Sequence, residues 1–441
     1  MKKLIPGLLV IAGIIFFNDL SVEAGQLRST CYRADLDGQV TEGAHLNDKI
    51  EIGSVSKIFT TYWAVSTFGI QHRFETIIYA WPLKNNDSNH EWDVHFVGSR
   101  DPDFGKLSLQ FIFAKLNEHG IKRIRHLSFD ENFKYIDDPR SGATAESFLR
   151  TSDPQPTTVV SRLKAAVKSI SSGYPQLVKT MSTRYSINLP RVSSMSVANI
   201  RVLDAKEISS ASLQTATMFS YHSRPLLPIL KEMNRNSNNY TANNIFEALG
   251  GQNSFRFFLQ QKLNLDERDA VIFNGSGDRY DENPRLGHYN ESTCETILQV
   301  IHGLRSVLKN SGLGLSLQDA LAVVGKDQGA TVNIYENDLT KGAVIAKTGT
   351  VNPTVALAGV ANTKEGAILF ASMYGPANTA ALRRTGRAQI GNFLTQLVRT
   401  KGGGVPVEYS QKIVFPLDKD SDLVKFYEPA MKSSINFNHN P

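Results

Sequence analysis

Ser54 and Lys57 stand three positions apart at the head of the stretch Ser54-Val-Ser-Lys57-Ile-Phe-Thr-Thr-Tyr-Trp-Ala-Val-Ser-Thr-Phe68. On a helix that spacing puts the hydroxyl and the amine on one face. A serine hydroxyl attacks poorly at neutral pH unless a base takes its proton. A lysine amine is such a base only when neutral, and burial disfavours its charged form. The residues that follow supply the burial: Ile58, Phe59, Tyr62, Trp63, Val65 and Phe68. The stretch therefore reads as an apolar helix with a serine nucleophile at its N-terminal end.

The tetrapeptide Ser-x-x-Lys also occurs at Ser161–Lys164 and Ser306–Lys309, and alone it is most often a polar helix turn. Context separates the copies. Ser161 leads into a lysine-rich, solvated-looking helix, and Lys309 precedes Asn310-Ser-Gly312, a helix end with a basic last turn. Two further short motifs follow in order. Ser237-Asn-Asn239 sits between two predicted helices, although Ser-x-Asn recurs at Ser186–Asn188 and Ser434–Asn436. Lys347-Thr-Gly349 occurs once, inside a predicted strand.

The elements that must position these residues alternate in type. Residues 27–42 read as a hairpin turning at Asp37-Gly38. Strands are predicted at 72–80, 91–98 and 124–129, and a helix at 107–119. Residues 138–160 are rich in Ser, Thr, Pro and Asp and read as loop. Helices are predicted at 226–234, 242–249, 255–263 and 293–308, with the tight loop Asn274-Gly-Ser-Gly277 between the last two. Three strands near 343–350, 355–361 and 367–374 read as an antiparallel meander, followed by a helix at 379–399. With the N-terminal hairpin they make a five-stranded antiparallel sheet flanked by helices, an α+β arrangement. Residues 401–441 read as a polar, partly disordered tail.

The chain has 441 residues, enough for two or three domains, with 41% hydrophobic and 20% charged residues. Lys2-Lys3, an apolar run from Leu4 to Phe17 and Val22-Glu-Ala24 form the pattern of a secretory signal peptide, residues 1–24. The apolar run is too short for a comfortable membrane span, and no later segment is long and apolar enough, so no integral span is expected after cleavage. The net charge of +6 is scattered rather than clustered, which gives no footprint for nucleic acid. Cys31 and Cys294 are the two cysteines; export permits a disulfide, and two free or buried thiols fit the sequence equally well. His90, Glu91 and His95 lack the helical spacing of a zinc-binding His-Glu-x-x-His and fall at a predicted strand, so they read as ordinary surface polarity.

Taken together, the three motifs make the chain resemble the serine penicillin-recognising enzymes, and more narrowly the penicillin-binding protein 4 type of D-alanyl-D-alanine carboxypeptidase/endopeptidase. The resemblance covers most of residues 27–400 and includes Phe74-Glu-Thr, Val97-Gly-Ser-Arg-Asp-Pro, Ser223-Arg-Pro-Leu-Leu, Met233-Asn-Arg-Asn-Ser-Asn-Asn and Gly325-Lys-Asp-Gln-Gly. It implies a transpeptidase/β-lactamase-like core at 25–71 and 216–400. The gap from Ser54 to Ser237 is too long for a simple β-lactamase and implies a large inserted domain at 72–215. One departure stands out: where the family commonly has Asp-Gly-Ser-Gly-Leu-Ser, this chain has Asn274-Gly-Ser-Gly-Asp-Arg279.

The resemblance also implies roles, and a reaction that requires no metal or other cofactor. Ser54 would attack the carbonyl of the penultimate D-alanine, with Lys57 as base and Asn239 orienting Lys57 and the substrate amide. Ser237 and Lys347 would relay a proton to the leaving amine. Lys347 with Thr348 would receive the terminal carboxylate on the Lys347-Thr348-Gly349-Thr350 strand. The backbone N–H groups of Ser54 and Thr350 would form the oxyanion hole. The implied substrates are peptidoglycan stem peptides and cross-links in the periplasm of a Gram-negative type of cell, with β-lactams as covalent inhibitors. A serine β-lactamase would need a deacylating group such as the glutamate of Glu-x-x-Leu-Asn, which is not found here. A non-catalytic wall-binding or sensor protein on the same fold is the other alternative, and the intact motifs argue against it. The exported protein is expected to begin at Gly25, which N-terminal sequencing checks; a product retaining Met1 would refute the signal peptide.

Overall fold

The computed structural model describes residues 25–35, 39–83, 91–136, 156–185, 188–189, 195–203, 215–280, 288–409, 417 and 420–426. The expected signal peptide, the turn at Asp37-Gly38 and most of the segment 138–160 lie outside these residues.

The central sheet is built from β1 (Gln26–Ala34), β2 (Glu42–Ala44), β11 (Ala322–Val323), β12 (Val344–Thr350), β13 (Val355–Thr363) and β14 (Gly366–Gly375). Its order is β11-β12-β13-β14-β1-β2, with every neighbour antiparallel. The sheet therefore has six strands, not the expected five. The added strand is β11, two residues long, too short to carry an alternating pattern in the sequence.

Side-chain alternation explains why β12 to β14 are apolar at nearly every position. Ile345, Ala356, Ala358, Val360, Leu369, Ala371 and Met373 belong to one core, and Val344, Ala346, Leu357, Ala361, Ile368 and Phe370 to another. A strand buried on both faces needs apolar residues at both parities. The first core contains α1 (Ser56–Thr67) and α8 (Cys294–Asn310). The second is closed by Ile390, Leu394, Leu397 and Val398 of α9 (Ala380–Thr400). Lys347 shares the parity of Ile345, so it points to the α1 side.

Three helices complete the first core: α5 (Leu226–Asn236), α6 (Asn239–Ala248) and α7 (Gly251–Leu263). Trp63 of α1 meets Phe246, Phe255 and Phe258 with ring centroids 5.3, 5.0 and 6.1 Å away. A small sheet of β3 (Ile50–Glu51), β10 (Glu291–Ser292) and β9 (Ala270–Val271) ties the approach to α1 to the loop before α8.

The second large sheet has the order β15-β8-β4-β5-β6-β7. It comprises β4 (Glu75–Pro82), β5 (Glu91–Val97), β6 (Arg123–Phe129), β7 (Ser196–Val202), β8 (Thr217–His222) and β15 (Leu423–Phe426). β5 and β6 are parallel, which requires a crossover, and α2 (Lys106–Glu118) provides it. α3 (Pro156–Lys168) and α4 (Ile170–Tyr185) pack on the same core, with Leu163, Tyr174, Leu177 and Met181 buried. α3 starts inside the segment read as loop, with proline at its first position, where the missing N–H costs nothing. Two boundaries shift. β8, placed by the sequence reading in the core segment 216–400, pairs with β4 in the second sheet. The tail, read as polar and partly disordered, contributes β15 to the edge of that sheet.

A buried ion cluster joins the two units. Arg224, just ahead of α5, is 1% exposed and donates to Asp103 Oδ2 at 2.6 Å and Oδ1 at 3.0 Å, and also to Glu232 on α5. Asp103 belongs to the turn between β5 and α2. Burying such charges is tolerated only when every one is paired.

Cys31 of β1 and Cys294 at the start of α8 form a disulfide, with Cα atoms 6.0 Å apart. It clamps the N-terminal strand to the helix beneath the sheet and closes a loop of 263 residues. Replacing both cysteines by alanine is expected to lower stability by about 2–4 kcal/mol, since the unfolded chain regains the freedom the cross-link removed. Denaturant unfolding of the oxidised wild type against the double variant checks this.

Candidate active site

Ser54 sits in a single tight turn, Gly53–Val55, immediately before α1. The turn needs Gly53, whose φ is +49° and whose added Cβ would lie 3.0 Å from the Thr350 backbone nitrogen. The turn bearing Ser54 is thus pressed against the end of β12. Ser54 is half-buried, while Lys57, one turn further, is fully buried. The N-terminal, positive end of α1 lies at Ser54, where it favours negative charge.

Lys57 Nζ lies 2.8 Å from Ser54 Oγ, 2.7 Å from Asn239 Oδ1 and 2.9 Å from the Ser276 carbonyl oxygen. Three oxygens take up the three directions of an ammonium; in the neutral amine one of them is reversed, and the Ser54 hydroxyl donates to Nζ. Burial holds the Lys57 amine well below its ordinary range, the nearby Lys347 charge presses it further down, and Asp278 opposes both. Lys347, also fully buried, donates to Ser237 Oγ at 2.9 Å and to the Thr348 carbonyl at 2.8 Å, and burial lowers its pKa to about 7.

The motif at 237–239 folds as a helix-to-helix joint. Ser237 closes α5 in the left-handed conformation, φ +55°. A serine is uncommon there, and such backbone is a frequent mark of functional sites. Asn238 caps α6, its side chain accepting from Thr241 N–H at 3.0 Å. Asn239, the first residue of α6, is thereby aimed at Lys57. Thr348 Oγ1 is 2.8 Å from Thr331 Oγ1. A Cβ on Gly349 would lie 2.2 Å from the Ile52 carbonyl oxygen, so only glycine lets the strand approach the chain leading into the Ser54 turn this closely.

Ser54, Lys57, Ser237, Asn239 and Lys347 therefore converge, with Thr348, Gly349 and Thr350 along the adjoining strand. The other Ser-x-x-Lys copies do not join them: Ser161 and Lys164 are exposed on α3, and Ser306 and Lys309 lie on α8 with Lys309 exposed. Ser186 and the Ser434–Asn436 copy lie outside the described residues, as does His90. His95 is buried on β5 beside Ser128 Oγ at 2.9 Å, and burial depresses its ring to about 4.

The loop Asn274–Arg279 contributes what sequence reasoning left unassigned. Asn274 Oδ1 accepts from Ser276 N–H at 3.1 Å and Gly277 N–H at 2.8 Å, and Asn243 Oδ1 accepts a further bond from Ser276 N–H at 2.9 Å. Asn290 clasps the root of the loop, donating to the Asn274 carbonyl at 2.7 Å. Gly277, at φ +75°, lies so close that a Cβ would come within 1.9 Å of the Gly53 carbonyl oxygen. The loop thus packs tightly on the turn that bears Ser54, and it delivers the Ser276 carbonyl to Lys57. The cluster of Asn, Gly and Ser was its visible trace in the sequence, but a carbonyl oxygen has no sequence signal.

The depressed pKa of Lys347 has a consequence for stability. The unfolded chain binds its proton up to about 10.4, and the folded chain releases it near 7. Between those values the unfolded state holds more protons, so stability rises with pH. Wild type is expected to gain about 1 kcal/mol per pH unit more than Lys347→Met between roughly pH 7.5 and 9. Denaturant melts at the two pH values check this, and parallel pH dependences would contradict the buried neutral amine.

The profile of the D-Ala-D-Ala carboxypeptidase 3 (S13) family matches residues 45–145 and 193–397. The chain is similar to the solved predatory peptidoglycan endopeptidase Bd3459 of Bdellovibrio bacteriovorus, with 32% identity, a TM-score of 0.81 and coverage of 91% of this chain and 100% of that one. Bd3459 has also been solved acylated by penicillin G, in complex with the immunity protein Bd3460. A second Bdellovibrio bacteriovorus endopeptidase, Bd0816, matches at 29% identity and a TM-score of 0.79, over 91% of this chain and 100% of that one. Penicillin-binding protein 4 of Haemophilus influenzae shares the fold at 16% identity and a TM-score of 0.60, over 86% of this chain and 96% of that one. No curated protein matches the chain. The profile spans more than half of the chain and includes all three motifs, and the chain belongs to the D-Ala-D-Ala carboxypeptidase 3 (S13) family.

Proposed function

We propose that this serine peptidase is a D-Ala-D-Ala carboxypeptidase and DD-endopeptidase that acts on peptidoglycan stem peptides and cross-links through an acyl-enzyme on Ser54. The observation that carries the residue assignment is the contact of a fully buried amine, Lys57 Nζ, with Ser54 Oγ at 2.8 Å. The penicillin G adduct of Bd3459 supports acylation chemistry on this fold.

In the proposed reaction Ser54 Oγ attacks the carbonyl carbon of the penultimate D-alanine, and its proton passes to Lys57. The new oxyanion lies between the N–H groups of Ser54 and Thr350, whose backbones already meet at Gly53. The C–N bond then breaks, and the leaving amine takes a proton from the Ser237 hydroxyl; Lys347 replenishes Ser237, and the proton that Lys57 took from Ser54 restores Lys347. Water hydrolyses the ester and frees Ser54. Lys347 and Thr348 hold the terminal carboxylate. A carboxypeptidase product and a cross-link product share this free carboxylate on a D-centre, so one clamp serves both bonds.

The location we infer is the periplasm of a Gram-negative type of cell. The N-terminal pattern through Ala24 supports export, and the Cys31–Cys294 bond fits an oxidising compartment. Among the described residues no helix is long and apolar enough to cross a membrane. We divide the chain into a catalytic unit, formed by residues 25–71 and about 223–409, and an inserted unit carrying the second sheet.

Purified protein is expected to release D-alanine from pentapeptides, to convert cross-linked dimers to monomers and to carry one penicillin adduct on Ser54. Ser54→Ala should lose all three, a fall in rate on the order of 10³-fold or more. Mass analysis of the products reads each activity separately. D-alanine release without dimer cleavage would remove the endopeptidase, and labelling of Ser54→Ala at full level would move the nucleophile elsewhere.

A further inference from the structure

Asp278 stands two residues beyond the Ser276 carbonyl that accepts from Lys57, and its carboxylate oxygens have different partners. Oδ1 accepts from the Arg279 backbone N–H at 2.8 Å, and Oδ2 accepts from Asn239 Nδ2 at 3.3 Å. The other end of the same amide, Asn239 Oδ1, takes the hydrogen bond from Lys57 at 2.7 Å. The two ends of an asparagine amide are nearly equal in size, so their partners decide which end faces which way. A carboxylate only accepts, so Asp278 holds the NH₂ end, leaving the oxygen for the lysine. The reverse orientation would set donor against donor at Lys57 and acceptor against acceptor at Asp278.

The backbone of Asp278 is itself held in place. Asn274 Nδ2 donates to the Asp278 carbonyl at 2.9 Å, and Asp278 N–H donates to Ser276 Oγ at 3.2 Å. The family pattern has leucine at this position and its aspartate where Asn274 stands; this chain carries its loop carboxylate at 278 instead.

We propose that Asp278 is a positioning residue of the acylation step, holding the Asn239 amide with its oxygen on Lys57 and setting a negative charge against the Lys57 amine. The inference rests on the Ser54–Lys57 reading above and adds a component to it. Among the groups around Lys57, Lys347 from β12 bears a charge of the same sign, while Ser54, Asn239 and the Ser276 carbonyl are neutral. α1 has no acidic residue in its first turn and no basic residue in its last. Asp278 is thus the group that pulls the Lys57 amine towards its charged form. Removing it lets Lys57 shed its proton at lower pH and leaves the Asn239 amide free to turn over.

The test is the pH dependence of the acylation rate constant with benzylpenicillin, measured on the full chain from roughly pH 5 to 9. Wild type, Asp278→Asn, Asp278→Leu and Asp278→Glu are compared. In Asp278→Asn and Asp278→Leu the acid limb should move down by about one pH unit. Asp278→Leu should also lose about tenfold in plateau rate, and Asp278→Glu should restore the limb. The nearly isosteric Asp278→Asn keeps the loop's shape and separates the charge from the fold. An unmoved limb with a uniformly lower rate would make Asp278 a support of the loop alone and overturn the proposal, as would a limb that moves upward. Wild type acylated at Ser54 with no shift in the variants refutes this inference only; wild type that is never acylated refutes the Ser54 reading and this inference together.

Discussion

Two lysine amines buried in one site, Lys57 and Lys347, are the constraint around which the catalytic unit is arranged. Taking an ammonium out of water costs several kcal/mol, and a second cation nearby adds to it. The protein meets this cost by giving each amine oxygen partners and by lowering its proton affinity. The oxygens come from four separate places: the turn before α1, the joint between α5 and α6, the loop 274–279 and β12. None of these works unless the others are in register, so the site is a product of the whole core rather than of one element.

The surrounding architecture serves that register. β12 is a doubly buried strand, and its parity alone sends Lys347 to the α1 side with Ile345. Glycines at 53, 277 and 349 let three backbones approach to distances a Cβ would forbid. The Cys31–Cys294 bond anchors α8 under the sheet, and α8 in turn supports α1. The second unit is fixed to this frame by Arg224, whose two carboxylate partners come one from each side of the junction. Breaking such a cluster strands buried charges, which makes the junction stiff against small perturbations.

The chain's own residues were sufficient to single out Ser54 and Lys57 and the order of the motifs. Ser54 and Lys57 are close in sequence, and the helix period relates them without any tertiary information. The apolar run after Lys57 also announced that the amine would be buried. The strands β12, β13 and β14 and the helices that cover them were legible because they are long and strongly patterned. The two-residue β11 was not, and neither was β15, which reads as polar tail and becomes a strand only by pairing with β8. An edge strand is specified by the partner that offers it hydrogen bonds, and that partner lies far away in the chain.

Tertiary structure alone decided the remainder of the site. That Cys31 meets Cys294, that the Ser276 carbonyl reaches Lys57, and that Asp278 holds the back of Asn239 are consequences of loop paths across hundreds of residues. Backbone carbonyls carry no residue identity, and a carboxylate in a polar loop looks like any surface charge until its neighbours are known. Local periodicity encodes which face a residue takes on its own element; which faces then meet is settled by packing and by the need to pair every buried polar group.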